Sequence, residues 1–166
     1  AAAIDRDGWF HTGDAGYLKD SHLYLTERIK DLFKTSNGKY ISPQALETKL
    51  AIDRYIDQIA VIADERKFVS ALIVPVYGFV KDYAKEKGIA YSNMDELLQH
   101  PKIQALFRAR IDTLQQQFAH YEQVKRFTLL TEPFSMERGE LTNTLKLKRS
   151  VVAKNYKGLI DKMYEE

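Results

Sequence analysis

The spacing of apolar and polar positions predicts short strands and helices that follow one another along the chain. Residues 17–18 and 22–26 flank a polar turn, a pattern typical of a β-hairpin. A second hairpin is predicted over residues 32–41, around a small polar loop at residues 35–38. Residues 56–63 and 68–76 are largely apolar on both faces, as strands are when both sides are covered. The pattern therefore predicts two hairpins and a small sheet.

Helix signals occupy the stretches between and after these strands. Ser42 before Pro43 predicts a helix start, because Ser accepts a bond from an unpaired amide and Pro has no N–H to leave unpaired. That helix is expected to end near residue 50. Further helices are predicted at residues 78–87, at 93–99 with Asn93 as cap, at 101–119 with Arg110 interrupting the apolar stripe, and at 149–164, while residues 127–130 read as a strand.

The element order predicts an α+β fold, a small antiparallel or mixed sheet flanked by helices and preceded by a hairpin. A two-stranded hairpin alone is marginal in water, so the first one is expected to belong to a larger sheet lying upstream. We therefore predict that residues 1–29 are the trailing hairpin of a larger, truncated domain. Residues 30–166 are expected to form a domain of their own.

Composition and charge exclude several classes of function. The 25 basic and 23 acidic residues are interspersed, so no field recruits nucleic acid. The chain has no cysteine, and its four histidines show no ligand spacing, so we predict no metal site within it. The apolar run at residues 71–76 is far shorter than the roughly 20 residues of a spanning helix. A cytoplasmic protein is expected.

Three segments carry candidate chemistry. Residues 7–14, Asp-Gly-Trp-Phe-His-Thr-Gly-Asp, present the carboxylate of Asp14 before a strand pair, although a lone Asp there would equally cap a turn. Residues 27–47 combine a charged link, a glycine-containing hairpin and a capped helix. Residues 139–149, Gly-Glu-Leu-Thr-Asn-Thr-Leu-Lys-Leu-Lys-Arg, deliver Lys146 and Lys148 on a polar loop, where lysines taken alone are solvated charges.

Together and in this order, the three segments resemble motifs of the adenylate-forming superfamily. Glu27 before Arg28, and Leu145 in place of the usual glycine, are similar to the long-chain fatty-acid CoA ligases of that family. The resemblance implies that this is the C-terminal lid of an AMP-forming enzyme. Such an enzyme activates a fatty acid with ATP as acyl-adenylate, releasing pyrophosphate, and then transfers the acyl group to CoA, releasing AMP.

The resemblance also implies roles for individual residues. Asp14 and Arg28 would hold the ribose of the nucleotide, Lys30 would be the hinge, and Lys146, in preference to Lys148, would neutralise charge during adenylation. The loop Ser36, Asn37 and Gly38 would border the path of CoA.

The implied cofactors are ATP, Mg²⁺ and CoA, most of whose contacts lie in the N-terminal domain upstream. That domain, the fatty acid and CoA are the expected partners, and peripheral membrane association of the full-length enzyme is compatible with them. The chain alone is expected to fold but to be inactive. Two alternatives stay open: a ligase of the same fold that serves an acyl-carrier protein, and a non-catalytic binding module that resembles the lid.

Overall fold

The computed structural model describes residues 4–165, with only the backbone of residues 26 and 27. The first hairpin consists of β1 (Asp14–Lys19) and β2 (His22–Arg28), and it confirms the predicted strand pair. Asp20 and Ser21 close its turn with φ values of 50° and 61°. Gly16 is required in β1, because a Cβ there would lie 2.5 Å from the carbonyl oxygen of Tyr24. Several of its apolar side chains are exposed: Tyr17, Leu18, Leu23, Tyr24 and Leu25.

The second hairpin, β3 (Phe33–Lys34) with β4 (Tyr40–Ile41), is also confirmed. It leads directly into α1 (Pro43–Leu50). The Oγ of Ser42 accepts a hydrogen bond of 3.3 Å from the amide of Ala45, so the cap predicted from the sequence forms.

A three-stranded mixed sheet forms the centre of the fold. Its strands β5 (Ile56–Ile62), β6 (Val69–Pro75) and β7 (Val124–Leu129) lie in the order β5-β6-β7. β5 runs antiparallel to β6, and β7 runs parallel to it. Every residue of β6 is buried, as the two-sided apolar pattern predicted.

Helices cover both faces of this sheet. One apolar cluster joins the sheet to α1 and to α2 (Tyr77–Glu86), α3 (Met94–Gln99) and α4 (Pro101–Leu114). The other joins the opposite face to α5 (Arg149–Asn155), to α6 (Lys157–Lys162) and to the loop after β7. Alternate residues of the strands enter the two clusters, since successive side chains point to opposite faces. Within residues 4–165, no helix is long and apolar enough to span a bilayer.

Three predicted boundaries were wrong. The helix expected at residues 101–119 ends at Leu114, because Gln115 turns inward and its Oε1 accepts a 2.8 Å bond from the amide of Val124. The same bond holds Val124, where β7 begins, three residues before the predicted start at residue 127. The helix expected at residues 149–164 is divided at Tyr156, where φ is −104° and ψ is 17° and the ring packs edge-on against Phe134.

Candidate functional site

Asp14 and Arg28 lie opposite each other at the open end of the first hairpin. The Nε of Arg28 is 3.1 Å from Oδ1 of Asp14, and their side chains are 68% and 25% exposed. The structure therefore brings together two residues that the sequence places fourteen positions apart, with room for a ligand to reach them.

The turn before Asp14 is held by its own hydrogen bonds. Oγ1 of Thr12 accepts a 3.2 Å bond from the amide of Asp14, and the carbonyl of Gly13 accepts a 2.8 Å bond from the amide of Ile29. The cap in this turn is thus supplied by Thr12. The carboxylate of Asp14 points instead to Arg28.

Lys30 lies in a single 3-10 turn (Ile29–Asp31) that joins the two hairpins. The residues on either side, Arg28 and Leu32, have extended backbones with ψ of 132° and 134°. All three residues of the turn are exposed, so little packing restrains the connection.

The loop of Ser36, Asn37 and Gly38 forms the exposed tip of the second hairpin. Thr35, buried beneath it, uses its hydroxyl to bond both the amide and the carbonyl of Lys39, at 3.1 and 3.2 Å. The amide of Ser36 donates to the carbonyl of Arg66 at 3.0 Å. These bonds make the loop a fixed projection of the domain.

Lys146 lies in a tight turn of the segment between β7 and α5. The amide of Thr142 donates to the carbonyl of Lys146 at 2.8 Å, and Oγ1 of Thr142 accepts from the amide of Lys146 at 3.0 Å. Leu145, at the position of the usual glycine, has a φ of 59°. Lys148 follows the turn, and both lysine side chains are exposed.

Glu140 anchors this turn and was missed in the sequence. Its side chain is 1% exposed, and its carboxylate accepts bonds from the amide of Ser135, from Nε of Arg138 and from Nδ2 of Asn155, at 3.0 to 3.2 Å. Burial raises the pKa of Glu140, while the hydrogen bonds from Arg138, Asn155 and Ser135 lower it. The combined effect of these bonds is larger, so the pKa lies below its usual value. A charged Glu140 therefore ties the loop to α5.

Glu47 and Arg149 form a second anchor that sequence analysis missed. Two parallel bonds of 2.6 Å join the guanidinium of Arg149 to the two oxygens of Glu47. Glu47 also accepts a 2.8 Å bond from the amide of Val61, and the guanidinium of Arg149 lies 5.4 Å from the ring centre of Phe33. Both charged residues lie inside motifs recognised in the sequence, yet 102 positions separate them and no local signal pairs them.

Within the described residues, no three His, Cys, Asp or Glu side chains cluster in a way that could hold a metal ion.

The sequence of residues 30–166 matches the family model described as AMP-binding enzyme C-terminal domain. Long chain acyl-CoA synthetase 7, peroxisomal, of Arabidopsis thaliana is 35% identical over 98% of this chain and 24% of its own length. Long-chain-fatty-acid–CoA ligase 5 of Rattus norvegicus is 36% identical over 98% and 24%, and ligase FadD15 of Mycobacterium tuberculosis is 32% identical over 96% and 27%. The chain thus spans about a quarter of these relatives.

Solved structures match the fold. The adenylation domain of a carboxylate reductase from Mycobacterium chelonae gives a TM-score of 0.78 at 24% identity, over 99% of this chain and 24% of that one. The corresponding domain from Segniliparus rugosus, in complex with AMP and a co-purified carboxylic acid, gives 0.76 at 22% identity, over 98% and 24%. These similarities confirm the α+β fold.

Proposed function

The chain belongs to the AMP-binding enzyme C-terminal domain family, and from that premise we propose that it is the C-terminal part of a long-chain acyl-CoA synthetase. The observation that carries the proposal is 32% to 36% identity, over 96% to 98% of the chain, to proteins named as such enzymes. The full-length enzyme would join ATP and a fatty acid into acyl-adenylate and pyrophosphate. CoA would then attack the adenylate, giving acyl-CoA and AMP.

Asp14 and Arg28 are proposed to bind the ribose of the nucleotide. A carboxylate can accept bonds from two vicinal hydroxyls, and the adjacent guanidinium offers further donors. The 3.1 Å contact between them supports a site in which the two act together. AMP in the S. rugosus structure supports a nucleotide for the fold.

Lys146 is proposed to act in adenylation. In that step negative charge gathers on the α-phosphate and the fatty-acid carboxylate, and an ammonium group on a flexible stem can neutralise it. The exposed position of Lys146 on a bonded turn supports this role, because the turn fixes the backbone while the side chain stays free to reach. Mg²⁺ and most of CoA would be held by the N-terminal domain, with CoA passing Ser36, Asn37 and Gly38.

We propose that residues 1–29 belong to that N-terminal domain and residues 30–166 form a lid that turns about Lys30. The exposed 3-10 turn at Lys30 supports the hinge. The expected location, the cytoplasm, stays a prediction, and the relative named peroxisomal supplies another compartment to test.

The test is an assay of the full-length enzyme with ATP, Mg²⁺ and palmitate, with either CoA or an acyl-carrier protein as acceptor. We expect AMP release that depends on palmitate and CoA together. Transfer to the carrier protein and not to CoA would favour the carrier-protein ligase. No fatty-acid-dependent pyrophosphate release with either acceptor would contradict the proposal.

A further inference from the structure

We propose that Arg149 is a positioning residue that locks the Lys146 turn and the Ser36–Gly38 loop into one rigid body. The inference rests on the proposed function, since it assigns the turn to adenylation and the loop to thioester formation. Arg149 itself touches no substrate in this scheme. It acts by fixing the distance between two groups that work in different steps.

Arg149 contacts both the hairpin and the helix of the segment at residues 27–47. Its two N–H groups bond Glu47 of α1 at 2.6 Å each, a bidentate geometry that fixes direction as well as distance. Its guanidinium also lies 5.4 Å from the ring centre of Phe33 in β3. Arg149 therefore holds both the helix and the hairpin.

Glu47 is in turn fixed to the central sheet. Its Oε1 accepts the 2.8 Å bond from the amide of Val61 in β5, an edge strand whose neighbour on the other side is β6. The carboxylate is thus shared between the sheet and Arg149. Because the Glu47 carboxylate is bonded to the sheet, its position is fixed. It therefore fixes the position of Arg149, the first residue of α5.

The two functional segments are only a few residues from this junction. Lys146 precedes Arg149 by three positions, and Gly38 follows Phe33 by five. Glu140 restrains the other side of the Lys146 turn through its bonds to Ser135 and Asn155. A rotation of the lid would then exchange the two segments at the active site without changing their separation.

The experiment uses the full-length enzyme with Arg149→Gln and a matched control, Arg108→Gln. Arg108 also bonds both oxygens of a carboxylate, that of Asp112, at 2.7 and 3.0 Å, and lies 5.6 Å from the ring centre of Phe127. Both arginine side chains are 31% exposed. Arg108 lies on α4 and also donates to the carbonyls of Val124 and Lys125, at 3.1 and 3.2 Å, so the control loses at least as many contacts, and none of them is to a residue of either functional segment.

The half-reactions are measured separately, as fatty-acid-dependent pyrophosphate exchange and as thioester formation from pre-made acyl-adenylate. We expect Arg149→Gln to lower both by up to about 100-fold, the loss that misplacing a reactive group by about 1 Å can produce. Arg149→Lys, which keeps the charge but bonds one oxygen at a time, should fall between wild type and Arg149→Gln. Arg108→Gln should leave both rates within about twofold of wild type, because no group near the reacting atoms moves.

A distance measurement separates positioning from stability. Spin labels at Asn37 and Asn143, in a cysteine-free version of the enzyme, report the separation of the two segments. Arg149→Gln should broaden the distance distribution, and Arg108→Gln should not. If Arg149→Gln does not fold, Glu47→Gln replaces it. Its amide oxygen still accepts from Val61, but its NH2 group cannot accept from Nη2 of Arg149, so we expect smaller losses that again affect both half-reactions.

The proposal is overturned if the Arg149 variant matches the Arg108 variant in both rates and in distribution width, or if only one half-reaction falls. An adenylation rate unchanged by Lys146→Ala would instead contradict the proposed site. The distance distribution would still test whether Arg149 joins the two segments, so the two failures are distinguishable.

Discussion

At the scale of single residues, Leu145 is one of the non-glycine residues with a positive φ. Its φ of 59° lies in the left-handed region, which costs an L-residue roughly 1–2 kcal/mol that glycine avoids. The sequence alone identified Leu145 as standing where glycine is usual. The structure adds that the turn keeps the glycine geometry.

We therefore expect Leu145→Gly to leave the free energy of unfolding equal or up to about 1 kcal/mol higher, since glycine's greater freedom in the unfolded chain offsets part of the relief. Leu145→Val should lower it by about 1 kcal/mol, because a β-branched side chain fits this region poorly. Urea denaturation of the 166-residue chain measures both. Asn143→Gly, at an exposed neighbour outside the positive-φ set, is the control and should be destabilising.

Lys146 gives the sharpest residue-level test of the proposed function. In the full-length enzyme, Lys146→Ala should lower adenylation by about 10²- to 10³-fold, the usual effect of removing one preorganised charge contact. Thioester formation from pre-made acyl-adenylate should be spared. Lys148→Ala is the matched control, since that lysine is also exposed on the same segment. If Lys148→Ala lowered the adenylation rate and Lys146→Ala did not, the role in adenylation would belong to Lys148.

Glu140 should make the stability of the Lys146 loop depend on pH. The folded-state pKa is lowered from 4.5, so its contribution is present above that value and is lost as pH falls through the lowered pKa. At neutral pH, Glu140→Gln should lower the free energy of unfolding by about 1.5–3 kcal/mol, the range for hydrogen bonds to a charged group.

The difference between wild type and Glu140→Gln should shrink below pH 4.5, which thermal unfolding across a pH series would detect. Glu132→Gln is the control, because that carboxylate bonds the same Arg138 at 3.1 Å but is 72% exposed. Its effect should stay below about 1 kcal/mol at every pH. Equal effects of the two substitutions would show that burial of Glu140 contributes nothing.

At the scale of elements, the 3-10 turn at Lys30 is the connection that must move in the proposed lid rotation. Lys30→Pro fixes φ near −65° and disfavours helical torsions at Ile29, so one orientation should become inaccessible. In the full-length enzyme we expect adenylation nearly intact and CoA transfer suppressed. Lys30→Ala removes the charge but keeps the torsions and should be much milder. If proline and alanine behaved alike, the hinge would lie elsewhere, for instance at Asp31.

Local signals made many of the elements predictable. The caps at Ser42 and Asn93, the polar hairpin turns and the two-sided apolar strands depend on neighbouring residues, and each one forms. The helix end at Leu114 was not predictable, because Gln115 turns inward only where Val124 offers it an amide. Asp14 and Arg28 were marked by their motif. The Glu47 and Arg149 pair depends on a long-range contact that motif spacing does not encode.

At the scale of the whole molecule, the 166-residue chain is expected to lack catalytic activity. Lys146 without a phosphate-binding half has no developing charge to stabilise, and Asp14 with Arg28 would hold the ribose alone. Purified chain should release no pyrophosphate from ATP and palmitate above background. Calorimetric titration should show nucleotide binding weaker than micromolar. Measurable turnover, or micromolar ATP affinity, would contradict the site assignment.

The first hairpin has a practical consequence for work with the isolated protein. Tyr17, Leu18, Leu23 and Leu25 are exposed, and β1 and β2 form a two-stranded sheet with no third strand among the described residues. Exposed apolar strands with free edges attract other copies and promote aggregation. Concentrated samples would therefore self-associate through the hairpin, and a recombinant chain that starts at residue 30 should be better suited to crystallisation and to NMR spectroscopy.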